Sequence, residues 1–469
     1  MLQSIHQRDG LGRVCLENRH TVRISVPDDG RWPQGLRPDH EPEAAQFLQT
    51  IRRRWLARHG DRTGAVALKH DYLRKTVPHL VEVRNSLAGN GVIDFDHKFV
   101  PDKHSMKYRI RPGFRTTRIA EYADEALYGR IETARLKAES NLLPVHRWLR
   151  ESLKLLEFDL NRALAIVSCV DQVPEKRRKR VLTLDDYRLM LSEQCKAFRE
   201  EMTLGTPELT CDKHGRVHTA FSRLPGIVRG CVSFGGEPLV GLDLKNAQPL
   251  FLGMVAVDFQ SSSQARNRIL KHEPSTEHPY GRRQRGGGGG EPPYSFTTMW
   301  RKLQGVDSKR VYRKRLADFF SQNAYLATCE QGKLYESLLL PGEDRDWLKH
   351  RILVDVLYGT DDYESPIRER FEGSFPHLHK IVTTLKTSKL ITTPKPHKHL
   401  AWLLQNRESR MFIGTICRRL MEERPSMPLF TIHDACCTTA ENIDFLETAA
   451  MDEFARLGVQ PTFKREFYD

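Results

Sequence analysis

Residues 215–253 read GRVHTAFSRLPGIVRGCVSFGGEPLVGLDLKNAQPLFLG, and residues 427–446 read MPLFTIHDACCTTAENIDFL. In the first, residues 238–243 form a short apolar run ending on a carboxylate, Asp243, and a helix is expected to open near Asn246 or Pro249. In the second, apolar residues 429–432 and 435–438 flank His433-Asp434, the pattern of two strands joined by a tight turn with an aspartate at its apex. A lone aspartate at a strand end is more often a helix cap or a turn residue. Two of them, fixed on rigid strand ends and brought together from distant sequence, suit Mg2+, which takes oxygen ligands in near-octahedral geometry. Such a pair can hold two metals about 3.5–4 Å apart, where they stabilise the attacking and leaving oxygens of a phosphoryl transfer.

Between these segments, residues 343–360 read EDRDWLKHRILVDVLYGT. The pattern is helical, and Arg345 and Lys349, four residues apart, share a face that can bracket phosphate oxygens. An amphipathic helix with a solvated basic face would carry the same charges.

Taken in order, Gly215-Arg216, Arg229, Asp243, the helix ending at Tyr358-Gly359 and His433-Asp434 resemble the motifs of family A DNA polymerases and of the related single-subunit phage and mitochondrial RNA polymerases. The resemblance implies an α+β fold: a right-hand palm built on an antiparallel sheet, with helical fingers and thumb. It implies that Asp243 and Asp434 ligate two Mg2+ (or Mn2+) ions, with the Leu244 carbonyl completing one shell. Gln248 falls at the sugar-discriminating position, where the DNA polymerases usually carry Glu and the RNA polymerases Gly. Arg345, Lys349, His350 and Tyr358 fall with Gln248 around the incoming nucleotide. Arg216, Arg229, His433 and Gln405 fall along primer and template. Counting back from Tyr358, the family's lysine would stand at His350 and its arginine at Asp346, one residue from the basic pair. Either a one-residue bulge or a rearranged phosphate grip accounts for that offset.

Upstream, residues 43–115 resemble a winged helix-turn-helix: helical stretches, then a Gly-containing turn and a two-stranded ribbon whose tip spans 101–105. Arg74, Lys75, Arg84, Lys103 and Lys107 supply phosphate donors there. Residues 1–42 mix Gly, Pro, Arg and Asp without periodicity and are expected to form an extended arm. Residues 116–204 are expected to be a helical, thumb-like connector, helices rather than strands, and they include the basic run 176–180. Residues 205–469 would hold palm and fingers. Within them 260–295, with three serines, an arginine cluster and five consecutive glycines, reads as a flexible insertion.

The bulk properties agree with a polyanionic partner. The 469 residues carry 74 Lys and Arg against 60 Asp and Glu, a formal net charge of +14. Nine cysteines without CxxC spacing exclude a disulfide framework or zinc module and fit a reducing cytoplasm. With no apolar run of about 20 residues and no secretory leader pattern, no membrane role is expected.

The expected function is therefore template-dependent nucleotidyl transfer from nucleoside triphosphates to a primer 3′ hydroxyl on DNA, without proofreading, in phage, plasmid or mobile-element replication. Two rivals stay open. One is an RNA polymerase, primase or template-independent terminal transferase on the same palm. The other is a DNA-binding replication initiator with a silent palm.

Overall fold

The computed structural model describes the chain outside residues 1–20, 28–31, 33, 57–63, 97–104, 141, 175–182, 204–206, 213, 262, 271–323, 392–394 and 469. Lys103, the basic run 176–180 and the glycine run 286–290 lie outside the described residues. The fold mixes helices with antiparallel sheets and divides into two compact units. The first comprises Met1–Asn141 with Asn161–Ala197, the second Leu142–Leu160 with Phe198–Asp469.

In the first unit, β1 (Thr21–Pro27) runs antiparallel to β5 (Thr117–Ala123), with Thr21 opposite Ala123. Val22, Ile24 and Val26 alternate into a small core with Ala45 and Leu127, flanked by Trp32, Tyr122 and Tyr128. This strand lies in the stretch expected to be an extended arm. Its period-two pattern, TVRISV, outweighs the turn-rich composition on either side because every second side chain is buried.

The helix Glu41–Arg54 follows, burying Phe47, Leu48 and Ile51. Then come β2 (Val66–Leu68), the helices His70–Arg74 and Leu80–Gly89, β3 (Ile93–Phe95) and β4 (Met106–Ile110). The three strands form one sheet in the order β2-β4-β3, and Tyr108 of β4 meets Phe47 edge-on at 5.2 Å between ring centroids. A buried ion pair, Arg52 to Glu193 at 2.8 Å, links the first long helix to the helix Leu184–Thr203.

The second unit is organised around β10 (Glu237–Leu244). It contains β6 (Leu156–Phe158), the β7–β8 hairpin (Leu209–Cys211 and Val217–Thr219), β9 (Val232–Phe234), and then, after β10, β11 (Phe430–Ile432), β12 (Ala435–Thr439) and β13 (Phe463–Phe467). The main sheet runs β11-β12-β10-β9-β6, with β13 also paired to β10. Leu239, Val240, Leu242 and Leu244 are all buried, as expected of a central strand covered on both faces. At Gly241 a Cβ would stand 2.7 Å from the Tyr468 hydroxyl, so a larger residue there would displace that side chain.

β5 and β6 correct the expectation of helices alone across 116–204. The three residues of β6, Leu-Glu-Phe, are too few to show an alternating pattern, and they become a strand only because β9 offers a free edge. Residues 260–261 and 263–270 also depart from the flexible insertion expected of them. They lie in the helices Ala247–Ser261 and Ser263–Leu270. Burial of Phe259, Ile269 and Leu270, with His399 Nε2 2.8 Å from the Ile269 carbonyl oxygen, outweighs the low helix propensity of serine.

Candidate active site

The end of β10 and the β11–β12 turn form one edge. Asp243 lies opposite Ala435 on one side and Lys464 on the other, and the Leu244 amide donates to the Asp434 carbonyl oxygen at 3.3 Å. The two carboxylates therefore come from adjacent strand ends. Burial first, then the Asp434 charge and then Glu466, push Asp243 up to about 7, while Lys349 and Lys464 pull it down. Desolvation also raises Asp434, against the attraction of Arg216 and Lys349. A carboxylate pair in this condition carries more negative charge than its surroundings compensate.

Among the described residues, Asn246 and His433 are the two non-glycine positions with positive φ, at 57° and 56°. Each stands within three residues of one carboxylate, in the turn that aims it. Backbone strain of this kind persists where the surrounding structure imposes it, and it gathers at functional sites. Buried polar atoms without hydrogen-bond partners gather here too: Arg216 Nε, Arg229 Nε and both amide atoms of Asn246.

Behind the carboxylates runs a polar chain. Arg216, just before β8, pairs with Glu408 at 2.7 Å. Glu408 accepts a hydrogen bond from Gln248 Nε2, and Gln248 Oε1 accepts one from the Tyr358 hydroxyl at 2.8 Å. Burial raises Glu408 to about 7, with Arg216 pulling down and Asp434 adding to the rise. Asp212 fixes the approach to Arg216 by accepting from the His214 and Arg216 amides at 2.8 and 3.0 Å. It also faces His218 Nε2 at 3.2 Å, and the His218 ring meets His433 edge-on. His433 keeps exposed surface at the turn, yet desolvation of its imidazole, reinforced by Arg216, His218 and Arg229, pushes it down to about 4. It is neutral near pH 7 and unsuited to donating charge.

The structure thus brings together Asp243, Asp434, Leu244, Gln248, Tyr358, Lys349, Arg216, Arg229 and His433. Arg345 is turned to other partners, paired with Glu336 and lying over the Tyr335 ring at 5.5 Å. His350 is exposed, and Gln405 is half-buried one residue before Asn406, which donates to the His214 carbonyl at 3.3 Å. In the first unit, Arg74, Lys75 and Lys107 are exposed, and Arg84 lies over Phe95 at 4.6 Å.

The one-residue offset between Lys349 and Tyr358 has a structural counterpart. The helix Arg345–Arg351 continues as a π-helix, Ile352–Tyr358, whose wider turns take in an extra residue. Glu408 was missed as a site residue. It sits in QNRESR, an ordinary surface-helix composition, and its partners Gln248 and Arg216 are 160 and 192 positions away in the chain. The only sequence signal is a carboxylate on the face of the helix Lys398–Met411 that also buries Leu404 and Met411.

Among the described residues, no group of three or more His, Cys, Asp and Glu side chains could hold a metal, and no helix is long and apolar enough to cross a membrane. No protein-family model and no curated protein matches the chain. Among solved structures, the POL domain of Pol1 from M. smegmatis in complex with DNA primer-template and dNTP is similar at a TM-score of 0.33 and 10% identity, over 89% of this chain and 81% of that one. A likeness of that degree carries no argument about what this chain does.

Proposed function

We propose that the chain is a template-dependent nucleic-acid polymerase whose second unit performs nucleotidyl transfer. The observation that carries this reading is the pair Asp243 and Asp434 on adjacent strand ends, each raised by burial and the first also by the second, with the charge of Lys349 opposing the rise in both. Desolvated carboxylates in this state are stabilised by divalent cations, and a donor set of oxygens alone suits Mg2+ or Mn2+. Asp243, Asp434 and the Leu244 carbonyl would hold the ions. When bound, they would supply Lewis-acid activation of the primer hydroxyl and charge stabilisation of the leaving pyrophosphate.

The protein's own groups orient the reactants. Lys349 offers a point charge to the triphosphate beside the carboxylates. Gln248 and Tyr358, locked by their mutual hydrogen bond, form a fixed floor beneath the nucleotide sugar. Arg216, Arg229 and neutral His433 line the approach of the primer strand. The primer 3′ oxygen bonds to the α-phosphorus, the bond from that phosphorus to the β-phosphate oxygen breaks, and the hydroxyl proton passes to solvent. Holding these groups in line accounts for most of the acceleration in such transfers.

The helix–strand–helix–helix–strand–strand order of the first unit and its β2-β4-β3 sheet support the proposal that it is a winged helix. Arg74, Lys75, Arg84 and Lys107 would then meet phosphates of the DNA.

The test is extension of a labelled primer by the intact chain, with dNTPs and rNTPs offered separately and with reactions lacking primer or template. Template-directed growth with dNTPs supports a DNA polymerase. Growth with rNTPs alone turns the reading to an RNA polymerase, and growth without template turns it to a terminal transferase.

A further inference from the structure

Tyr358 lies nine positions after Lys349. In a regular α-helix nine residues make about two and a half turns, so the two side chains would point to opposite sides. Yet Lys349 acts on both Asp243 and Asp434, and Tyr358 bonds Gln248 behind the same carboxylates. The π-helix Ile352–Tyr358 reconciles the two. With one residue absorbed, the separation equals about eight α-helical steps, or about 2.2 turns, and both side chains return to one side.

A π turn needs something to hold it, and this one is held both by a residue of the preceding helical turn and by the loop that follows the helix. Asp355, fully buried in its middle, accepts from Arg351 at 2.6 Å, the Tyr363 hydroxyl at 2.8 Å and the Ser365 hydroxyl at 2.9 Å. Arg368 ties down the following loop by donating to the carbonyls of Tyr363 at 2.7 Å and Thr360 at 3.0 Å. The turn closes where the Gly359 amide donates to the Val354 carbonyl at 2.7 Å, a five-residue step at which a Cβ on residue 359 would lie 2.4 Å from that oxygen.

We infer that Asp355 is a positioning residue for nucleotide binding: by fixing the π turn it sets the angle between Lys349 and Tyr358, and so aligns the phosphate contact with the sugar floor. This rests on the proposed roles of Lys349 and Tyr358. Asp355 touches no substrate and acts only through the winding of the helix. Its influence therefore falls on nucleotide affinity, and it becomes dispensable once the extra residue is removed.

The experiment is a cycle of Asp355→Asn and deletion of Val354, an exposed residue within the π segment, in the full-length chain. Thermal melting is followed beside KM for the incoming nucleotide and kcat in primer extension. Asp355→Asn should raise KM about tenfold with a smaller change in kcat. Deletion of Val354 leaves an eight-residue spacing that ordinary α winding serves, so KM should stay within about threefold of wild type. Asp355→Asn in that shortened background should then change KM by less than about twofold. Tyr363→Phe and Ser365→Ala remove one donor each, and should raise KM by about twofold to threefold should the Asp355 variant fail to fold. An equal KM rise in both backgrounds, or no rise in any of these variants while wild type extends primers, overturns the inference alone. A wild-type chain that extends no primer overturns the underlying reading with it.

Discussion

Asp94 and Asp243 are both strand aspartates, one in each compact unit, and their surroundings treat them oppositely. Asp94, on β3, accepts from Arg109 and from Arg111, and these hydrogen bonds hold its carboxyl below the usual range. Asp243, at the end of β10, meets burial and two further carboxylates, and is pushed up to about 7. The first carboxylate is satisfied by the fold and does structural work. The second is left buried and short of positive charge by the fold, the condition that the proposed cation site calls for. The same residue type in the same kind of element thus separates architecture from chemistry by its partners alone.

The contrast can be broken or sharpened by substitution. Asp243→Asn should reduce extension at least about 10³-fold while raising the melting temperature, since it removes a charge the apo fold disfavours. A fall in both would place Asp243 with Asp94 as a structural residue. Lys349→Ala should raise nucleotide KM about tenfold, whereas Arg345→Ala, whose side chain is held by Glu336 and Tyr335, should change it by less than about twofold. Equal effects would restore the Arg345/Lys349 pair as a joint phosphate grip.

Glu408 offers a third comparison, in the pH dependence of stability. Its folded-state pKa is raised, so between about 4.5 and about 7 the folded chain holds a proton that the unfolded chain has released. Stability linked to this group therefore falls as pH rises through that window and levels off above it. Glu408→Gln should flatten that decline in melting curves taken across the window. A decline unchanged by the substitution would assign it to other groups. The smallest effect is expected at Asp94→Asn, a loss of about 1 kcal/mol or less in chemical unfolding with extension per folded molecule unchanged, because its ion pairs are partly solvent-exposed.

What could be read in the sequence follows from how local each signal is. The run into Asp243 and the hairpin around His433-Asp434 are encoded by consecutive residues, and the strands appear where the apolar runs stand. The π-helix was visible only as a one-residue misfit in spacing, because wider winding leaves no mark in composition. β6 was invisible, since three residues have no period and their strand character comes from β9. Glu408 was invisible for a related reason: its burial and raised pKa are produced by Arg216, Gln248 and Asp434, none of them near it in the chain. β1 is legible in the alternation of TVRISV, although glycines stand on either side of it.

The most direct test of the account is single-nucleotide extension of a primer–template by the intact chain in Mg2+, beside Asp243→Ala and Asp434→Ala and a chelator control. The account predicts extension by wild type that either substitution, or the chelator, reduces at least about 10³-fold while melting curves show both variants folded. Extension that survives either substitution would contradict it.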